Sequence, residues 1–280
     1  SAAYSGGDLP HARRKKEGGN LSEDQAGNSL KRGLAILEVF SEDRLEWTPE
    51  ELMEKLGYSR PTLYRYLKTL REAGLLSSNP NAGFTLGPKV VEMDFLLRKS
   101  DALILTGQAH LKNLTDRYTC TALLVRRYGD RILCVASERS AVNPRSSYPR
   151  GRPMPLARGA IARSLMAFLP RRHLIPLIER TFEDLQAVGL GSTVEEILES
   201  LKRVKKAGYA VAFGEVTPGV VGISAPVFDA GRSPIAAVCV TIAGHLVDGN
   251  MIDEISSHVR RAAEEITQTL SDQRLNVAAQ

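Results

Sequence analysis

Apolar residues in the first hundred positions recur at helical spacing in three runs. In residues 29–40, SLKRGLAILEVF, Leu30, Leu34, Leu37 and Phe40 share one face and predict a first helix. In residues 48–70, TPEELMEKLGYSRPTLYRYLKTL, two short helices meet at a tight turn. Thr48 is a good N-cap, Pro49 suits the first helical position, and Glu51 can complete a capping box with Thr48. Leu52 and Leu56 lie four apart, and Gly57 ends the helix in a left-handed conformation. Ser59 is expected to cap the next helix, whose first turn tolerates Pro61. Leu63, Leu67 and Leu70 form its buried stripe, while Arg60, Tyr64, Arg65, Lys68 and Arg71 face outward. Trp47 stands ready to close the small core. A hairpin follows at residues 75–87, around Asn, Pro and Gly, and then a helix over 88–97. In that helix Val90, Val91, Met93, Phe95, Leu96 and Leu97 cover more than one face, so it should meet both its own domain and a partner chain.

Beyond residue 100 the pattern alternates between two periods. A helix is expected at 102–118, then strands at 119–128 and 131–138 joined at Gly129-Asp130. Residues 143–155 read as a Pro-rich loop. Helices follow at 157–169, 171–180 and 194–207, with Gly208 as a stop. Strands are expected at 209–213, 220–229 and 235–242, and a last helix at 249–270. This order describes an α+β domain with a mostly antiparallel sheet. The expected divisions are a disordered tail at 1–27, a winged helix-turn-helix at 28–87, a linker and dimerisation helix at 88–100, an effector domain at 101–272 and a tail at 273–280.

Charge sharpens the reading of the first domain. The chain of 280 residues carries a formal net charge of +5, which permits nucleic-acid binding. Between residues 58 and 89 there are five cations, Arg60, Arg65, Lys68, Arg71 and Lys89, against one anion, Glu72. A helix with a cationic, hydroxyl-bearing face beside a short partner helix is the arrangement that enters a major groove, and the hairpin after it reads as a wing. Ser59, Arg60, Thr62, Tyr64, Arg65 and Lys68 are therefore the candidate contacts to double-stranded DNA. The basic cluster Arg13, Arg14, Lys15 and Lys16 is either a solvated tail or a second, non-specific DNA contact. No apolar run is long enough to span a membrane and no leader segment is visible, so a cytoplasmic location is expected. Cys120, Cys134 and Cys239 lie in apolar, strand-like runs without metal-ligand spacing.

The second domain offers little catalytic chemistry. His173, His245 and His258 are scattered, so no metal site is expected, and Ser224 lacks a nucleophile-elbow context. Glu215, in the turn GEVTPG, is expected to hold that turn by accepting bonds from backbone amides. The strand IAAVCVTI is more informative. Ala236, Val238, Val240 and Ile242 share one face and read as core. Ala237, Cys239 and Thr241 share the other, which either lines a ligand cavity or lets a helix lie close.

The stretches SLKRGLAILEVF, YSRPTLYRYLKTLREAGLL and FTLGPKV, followed by GRPMPLARGA, AGYAVAFGEVTPGVVGISAPVFD and IAAVCVTIAG, occur in an order that resembles the IclR family of bacterial transcriptional regulators, across residues 29–272. The resemblance implies a winged helix-turn-helix, a dimerising linker helix and a GAF-like effector domain. It also implies a homodimer or dimer of dimers on palindromic DNA and a small organic acid as effector; no cofactor is expected. Residue by residue it places the effector at Met154, Gly159, Ala160, Ala212, Gly222, Cys239 and Thr241. This chain departs from the family's pattern at Ala157, where His is usual, over residues 158–163, and at Pro61, where Ser is common. The small residues Ala157, Ala160, Ala212 and Gly222 predict a roomy cavity and an effector bulkier than a two- or three-carbon acid, branched or aromatic. The expected function is a ligand-responsive regulator of a catabolic operon, not an enzyme. The alternatives are a thiol-based redox sensor, which needs an exposed low-pKa cysteine, and an enzyme with a DNA-binding appendage.

Overall fold

The structure is a computed structural model that describes residues 21–80, 83–140 and 149–278, with side chains described over 28–80, 83–140 and 149–273. The basic cluster at residues 13–16 lies outside the described residues. The chain divides into two compact units, Ser1–Phe95 and Leu96–Gln280. Among the described residues no helix is long and apolar enough to cross a membrane.

The first unit comprises α1 (Leu21–Glu38), α2 (Pro49–Leu56), α3 (Arg60–Glu72), β1 (Leu76–Asn79), β2 (Gly83–Leu86) and the start of α4 (Lys89–Ser100). Helix α1 begins inside the stretch expected to be a disordered tail. Its buried face matches the expected stripe in part: Leu37 and Phe40 pack against the core, and Leu30 and Leu34 do not. Ile36 is fully buried, whereas Leu30 is 65% and Leu34 46% exposed. The core gathers Ile36, Trp47, Leu52, Leu63, Tyr66, Leu67, Leu70 and Leu76.

Local chemistry fixes the turn into α2. The Glu51 N–H donates to Thr48 Oγ1 at 3.3 Å, and the Thr48 N–H donates to Glu51 Oε2 at 2.9 Å, a complete capping box. Gly57, at φ 66°, closes the helix with its N–H on Met53 O. Arg44 pairs with Glu51 and stacks 3.9 Å over the Trp47 ring. The Thr48 amide, with Arg44 beside it, pulls the Glu51 carboxyl down from 4.5 to about 2. A folded-state value below the unfolded one gives stability that is present above about pH 4.5 and lost as pH falls towards 2. The Tm gap between wild type and Glu51→Gln is therefore expected to be full at pH 6 and to close as pH falls through that window. A gap that stays constant with pH would contradict the assignment.

The wing is tied back to the segment before α2. Phe84 N–H donates to Trp47 O at 2.8 Å, and Trp47 N–H to Phe84 O at 3.0 Å. Gly83 makes this approach possible: it has φ +94°, and a Cβ there would sit 2.4 Å from Trp47 O. Gly83→Ala is expected to cost roughly 1–3 kcal/mol of stability, read by denaturant unfolding.

The second unit continues α4 with α5 (Ala102–Arg117), β3 (Thr121–Tyr128), β4 (Arg131–Arg139), β5 (Pro153–Pro155), α6 (Gly159–Met166), α7 (Arg171–Arg180), α8 (Phe182–Ala187), α9 (Val194–Ala207), β6 (Ala210–Phe213), β7 (Val220–Phe228), β8 (Pro234–Ala243), a 3₁₀ turn and α10 (Gly249–Ala278). The sheet order is β5-β4-β3-β8-β7-β6, and every neighbouring pair is antiparallel. Alternation sorts its side chains into two layers. Ala122, Leu124, Val221, Ile223, Val238 and Val240 meet α5 and α10 on one face. Leu123, Val125, Ala237 and Cys239 meet the core of α6 to α9 on the other. The face assignment read from IAAVCVTI holds. Three elements differ from expectation. β5 forms within the expected loop, α8 was not foreseen, and α10 continues through Ala278 where a tail was expected.

Candidate nucleic-acid interface and ligand cavity

Helix α3 buries Leu63, Tyr66, Leu67 and Leu70 and leaves Arg60, Tyr64, Arg65 and Lys68 exposed, with Thr62 half-buried. Tyr66 is the core residue that the leucine spacing did not reveal. At about 100° per residue, Pro61, Arg65, Lys68 and Glu72 project most directly away from the buried side. Arg60 lies 5.4 Å over the Tyr64 ring, and Lys68 is 3.8 Å from Glu72. Arg65 leans over Tyr66, 5.2 Å from the ring, with Nη2 3.5 Å from the phenol oxygen, which meets Ser29 Oγ at 3.1 Å. Ser59 occupies the N-cap position but does not cap with its side chain. Its hydroxyl donates to Thr62 Oγ1 at 3.0 Å instead. Pro61 contributes to this difference, because it removes one of the two amides that a capping oxygen normally serves.

In the second unit a cavity lies where α6 crosses β6, β7 and β8. Gly159, Ala160, Ile161, Ala212, Glu215, Val216, Thr217, Val220, Gly222, Cys239 and Thr241 line it. Six of the seven residues expected there are brought together. Met154 is the exception: it lies on edge strand β5 opposite Ile132, with its side chain on the core of α6 to α9. The edge position explains it, since β5 is separated from β8 by β4 and β3.

The expected roominess is also absent. The space amounts to about 30 Å³, enough for a water molecule or two. Small residues here let elements approach rather than leave a void. A Cβ built on Gly222 would stand 3.5 Å from the Ala160 Cβ, and the turn at 215–217 lines the cavity beside them.

The charged groups at this cavity are an internal pair. Glu215 and Arg163 form an ion pair with side chains 12% and 13% exposed. Glu215 Oε2 accepts from the Gly159 N–H at 3.0 Å, and Arg163 Nη1 donates to Val211 O at 3.1 Å. Glu215 does hold its turn through a backbone amide, but that amide belongs to α6. The bond to Arg163 spans 52 positions, so no local spacing could have shown it. Behind them Ser164 Oγ and Ser224 Oγ meet at 3.0 Å, both fully buried.

All three thiols are buried. Burial pushes Cys120 up to about 12 and Cys134 up to about 11, and it raises Cys239 as well. None has the exposed, low-pKa environment that thiol sensing needs.

Two family profiles match the chain. The IclR helix-turn-helix domain matches residues 29–80, and the bacterial transcriptional regulator IclR C-terminal domain matches residues 98–268. The HTH-type transcriptional regulator XynR of Escherichia coli (strain K12) is 26% identical over 247 residues, covering 86% of this chain and 96% of that protein. The p-hydroxybenzoate hydroxylase transcriptional activator of Acinetobacter baylyi is 26% identical over 246 residues, covering 85% and 89%. Among solved structures, an IclR homolog from Microbacterium hydrocarbonoxydans complexed with 4-hydroxybenzoate has a similar fold. Its TM-score is 0.67 at 21% identity, over 86% of this chain and 98% of that one.

Proposed function

The chain belongs to the IclR family of bacterial transcriptional regulators, and from that premise we propose that it controls a catabolic operon in response to a small organic acid, aromatic acids foremost. The observation that carries the reading is the division of labour between the units. One presents an exposed cationic helix beside a wing, and the other holds a small cavity lined on one side by a carboxylate-bearing turn. The DNA contacts are Ser59, Arg60, Thr62, Tyr64, Arg65 and Lys68 on a palindromic operator. The effector site comprises Gly159, Ala160, Ala212, Gly222, Cys239 and Thr241. The aromatic part is supported by the relative named for p-hydroxybenzoate hydroxylase and by the structural neighbour that holds 4-hydroxybenzoate. Two winged units act together in a homodimer or a dimer of dimers, so an effector changes DNA affinity by shifting the population that can span both half-sites.

The test begins with selection of an operator from random duplexes. Its affinity is then measured by fluorescence anisotropy with and without 4-hydroxybenzoate, benzoate, pyruvate and glyoxylate. An aromatic acid is expected to change that affinity, and at ~100 times its Kd to add about 2.7 kcal/mol of stability. Selection that yields no operator would overturn the DNA reading. An operator whose affinity no acid alters would overturn the acid-sensing reading.

A further inference from the structure

The cavity is too small to admit a branched or aromatic acid as it stands. About 30 Å³ accepts a water or two, so binding requires part of the wall to move. Eight of the eleven lining residues belong to α6, β6, β7 or β8, each fixed by helix or sheet bonding; Glu215, Val216 and Thr217 alone come from a connecting turn. That turn is bounded by two glycines in the left-handed region, Gly214 at φ 65° and Gly219 at φ 74°. A Cβ on Gly219 would meet nothing within 4 Å. Its base is held by the Gly214 N–H on Val220 O at 2.8 Å and the Gly244 N–H on Gly219 O at 2.7 Å. Across the cavity it is fastened to α6 by Glu215 through Gly159 and Arg163.

That fastening has the chemistry of a bound ligand. One carboxylate oxygen takes a backbone N–H at the start of α6, and the other takes a guanidinium. Both are the donors an incoming carboxylate would seek. We propose that Glu215 is a built-in carboxylate occupying the place an acid effector takes, and that the effector binds by displacing it from Arg163 and the Gly159 amide, releasing the turn at residues 214–219. For its ligand class this rests on the acid-sensing reading above.

The exchange selects for acids. Arg163 is largely buried, and among the described residues its Nε has no hydrogen-bond partner. Removing Glu215 without replacement strands a buried cation, which is strongly unfavourable. A carboxylate ligand restores the pairing, and the released Glu215 regains solvation. A neutral ligand of the same shape leaves the Arg163 cation stranded.

The displaced group can be replaced by a fragment. Glu215→Ala deletes a carboxymethyl group, and acetate restores it. Acetate, acetamide and sodium chloride at matched ionic strength are titrated into the full chain as wild type, Glu215→Ala and Glu215→Ala/Arg163→Met, by calorimetry and thermal unfolding. Acetate is expected to bind Glu215→Ala at least tenfold more tightly than wild type and to raise its Tm. Acetamide should do neither, and the double variant should lose the effect. Equal acetate affinity in wild type and Glu215→Ala, or acetamide acting as well as acetate, overturns the inference. If Glu215→Ala does not fold, Glu215→Gln keeps the shape and weakens the latch, and no gain in acetate affinity then counts against it. The acetate result stands apart from the operator assay. Rescue with an operator that ignores every acid tried overturns the acid-sensing reading, not the latch.

Discussion

Replacing Arg65 with Ala is expected to weaken binding to the selected operator by about 1–3 kcal/mol, roughly 5- to 150-fold. Arg65 sits mid-helix on the side opposite Leu63, Tyr66, Leu67 and Leu70, so a groove that receives α3 meets it directly. Its guanidinium is already oriented over Tyr66, whose hydroxyl is near both it and Ser29, so less side-chain freedom is lost on binding. Two outcomes separate its roles. If Arg65 forks onto a guanine, the loss concentrates at one base pair and the salt dependence hardly changes. If it meets phosphate, the loss is uniform across sequences and the salt slope falls by about one. Tyr66→Phe, which removes only the hydroxyl, should cost less than Arg65→Ala. Unchanged operator affinity in Arg65→Ala would show that α3 docks by another face.

Elements set by local chemistry were legible in the sequence. Both ends of α2 could be read because Thr48, Glu51 and Gly57 each satisfy an end group that a helix must satisfy somewhere. The two faces of β8 could be read because strand alternation has a fixed period and both faces are buried. Periodicity was less informative where a helix carries apolar residues on two sides. In α1 the spacing of Leu30, Leu34 and Leu37 correctly marked a helix, but the residue the core buries fully is Ile36, about 130° away from the middle of that stripe, with Leu37 packed only in part. Spacing shows that an apolar face exists and not which neighbour covers it. Strand β5 was hidden by Pro153 and Pro155, which are compatible only with the edge position it occupies.

The ligand cavity divides in the same way. Residues on regular strands and the α6 amino terminus could be placed by register and by resemblance. Its volume could not, because volume depends on how closely α6 approaches β7 and on the turn that folds back over both. Glu215 attracted notice as the one acid in that turn. Its partner Arg163 read only as part of the departure from the family's pattern over residues 158–163, since pairing across 52 positions leaves no local trace.

Substituting Lys for both Phe95 and Leu96 is expected to convert the protein to a monomer and to reduce operator affinity by about 100-fold or more. Helix α4 has no buried residue, and Val90, Val91, Met93, Phe95, Leu96 and Leu97 are each between 40% and 69% exposed. So continuous an apolar surface on a single chain is unfavourable in water and calls for a cover. The second copy proposed above is an occupant that also explains DNA recognition. One winged unit reads a single half-site, whereas two held by paired α4 helices read a palindrome, and the second contact gains from its high effective concentration. Breaking the pair removes that gain without touching any residue of α3. Lys is a good helix former, so α4 itself should persist and the loss should trace to association rather than folding. Light scattering and operator anisotropy on the same preparation make the check, with circular dichroism to confirm the helix content. A dimer that survives both substitutions would rule out α4 as the contact, and full operator affinity in a proven monomer would rule out the avidity argument.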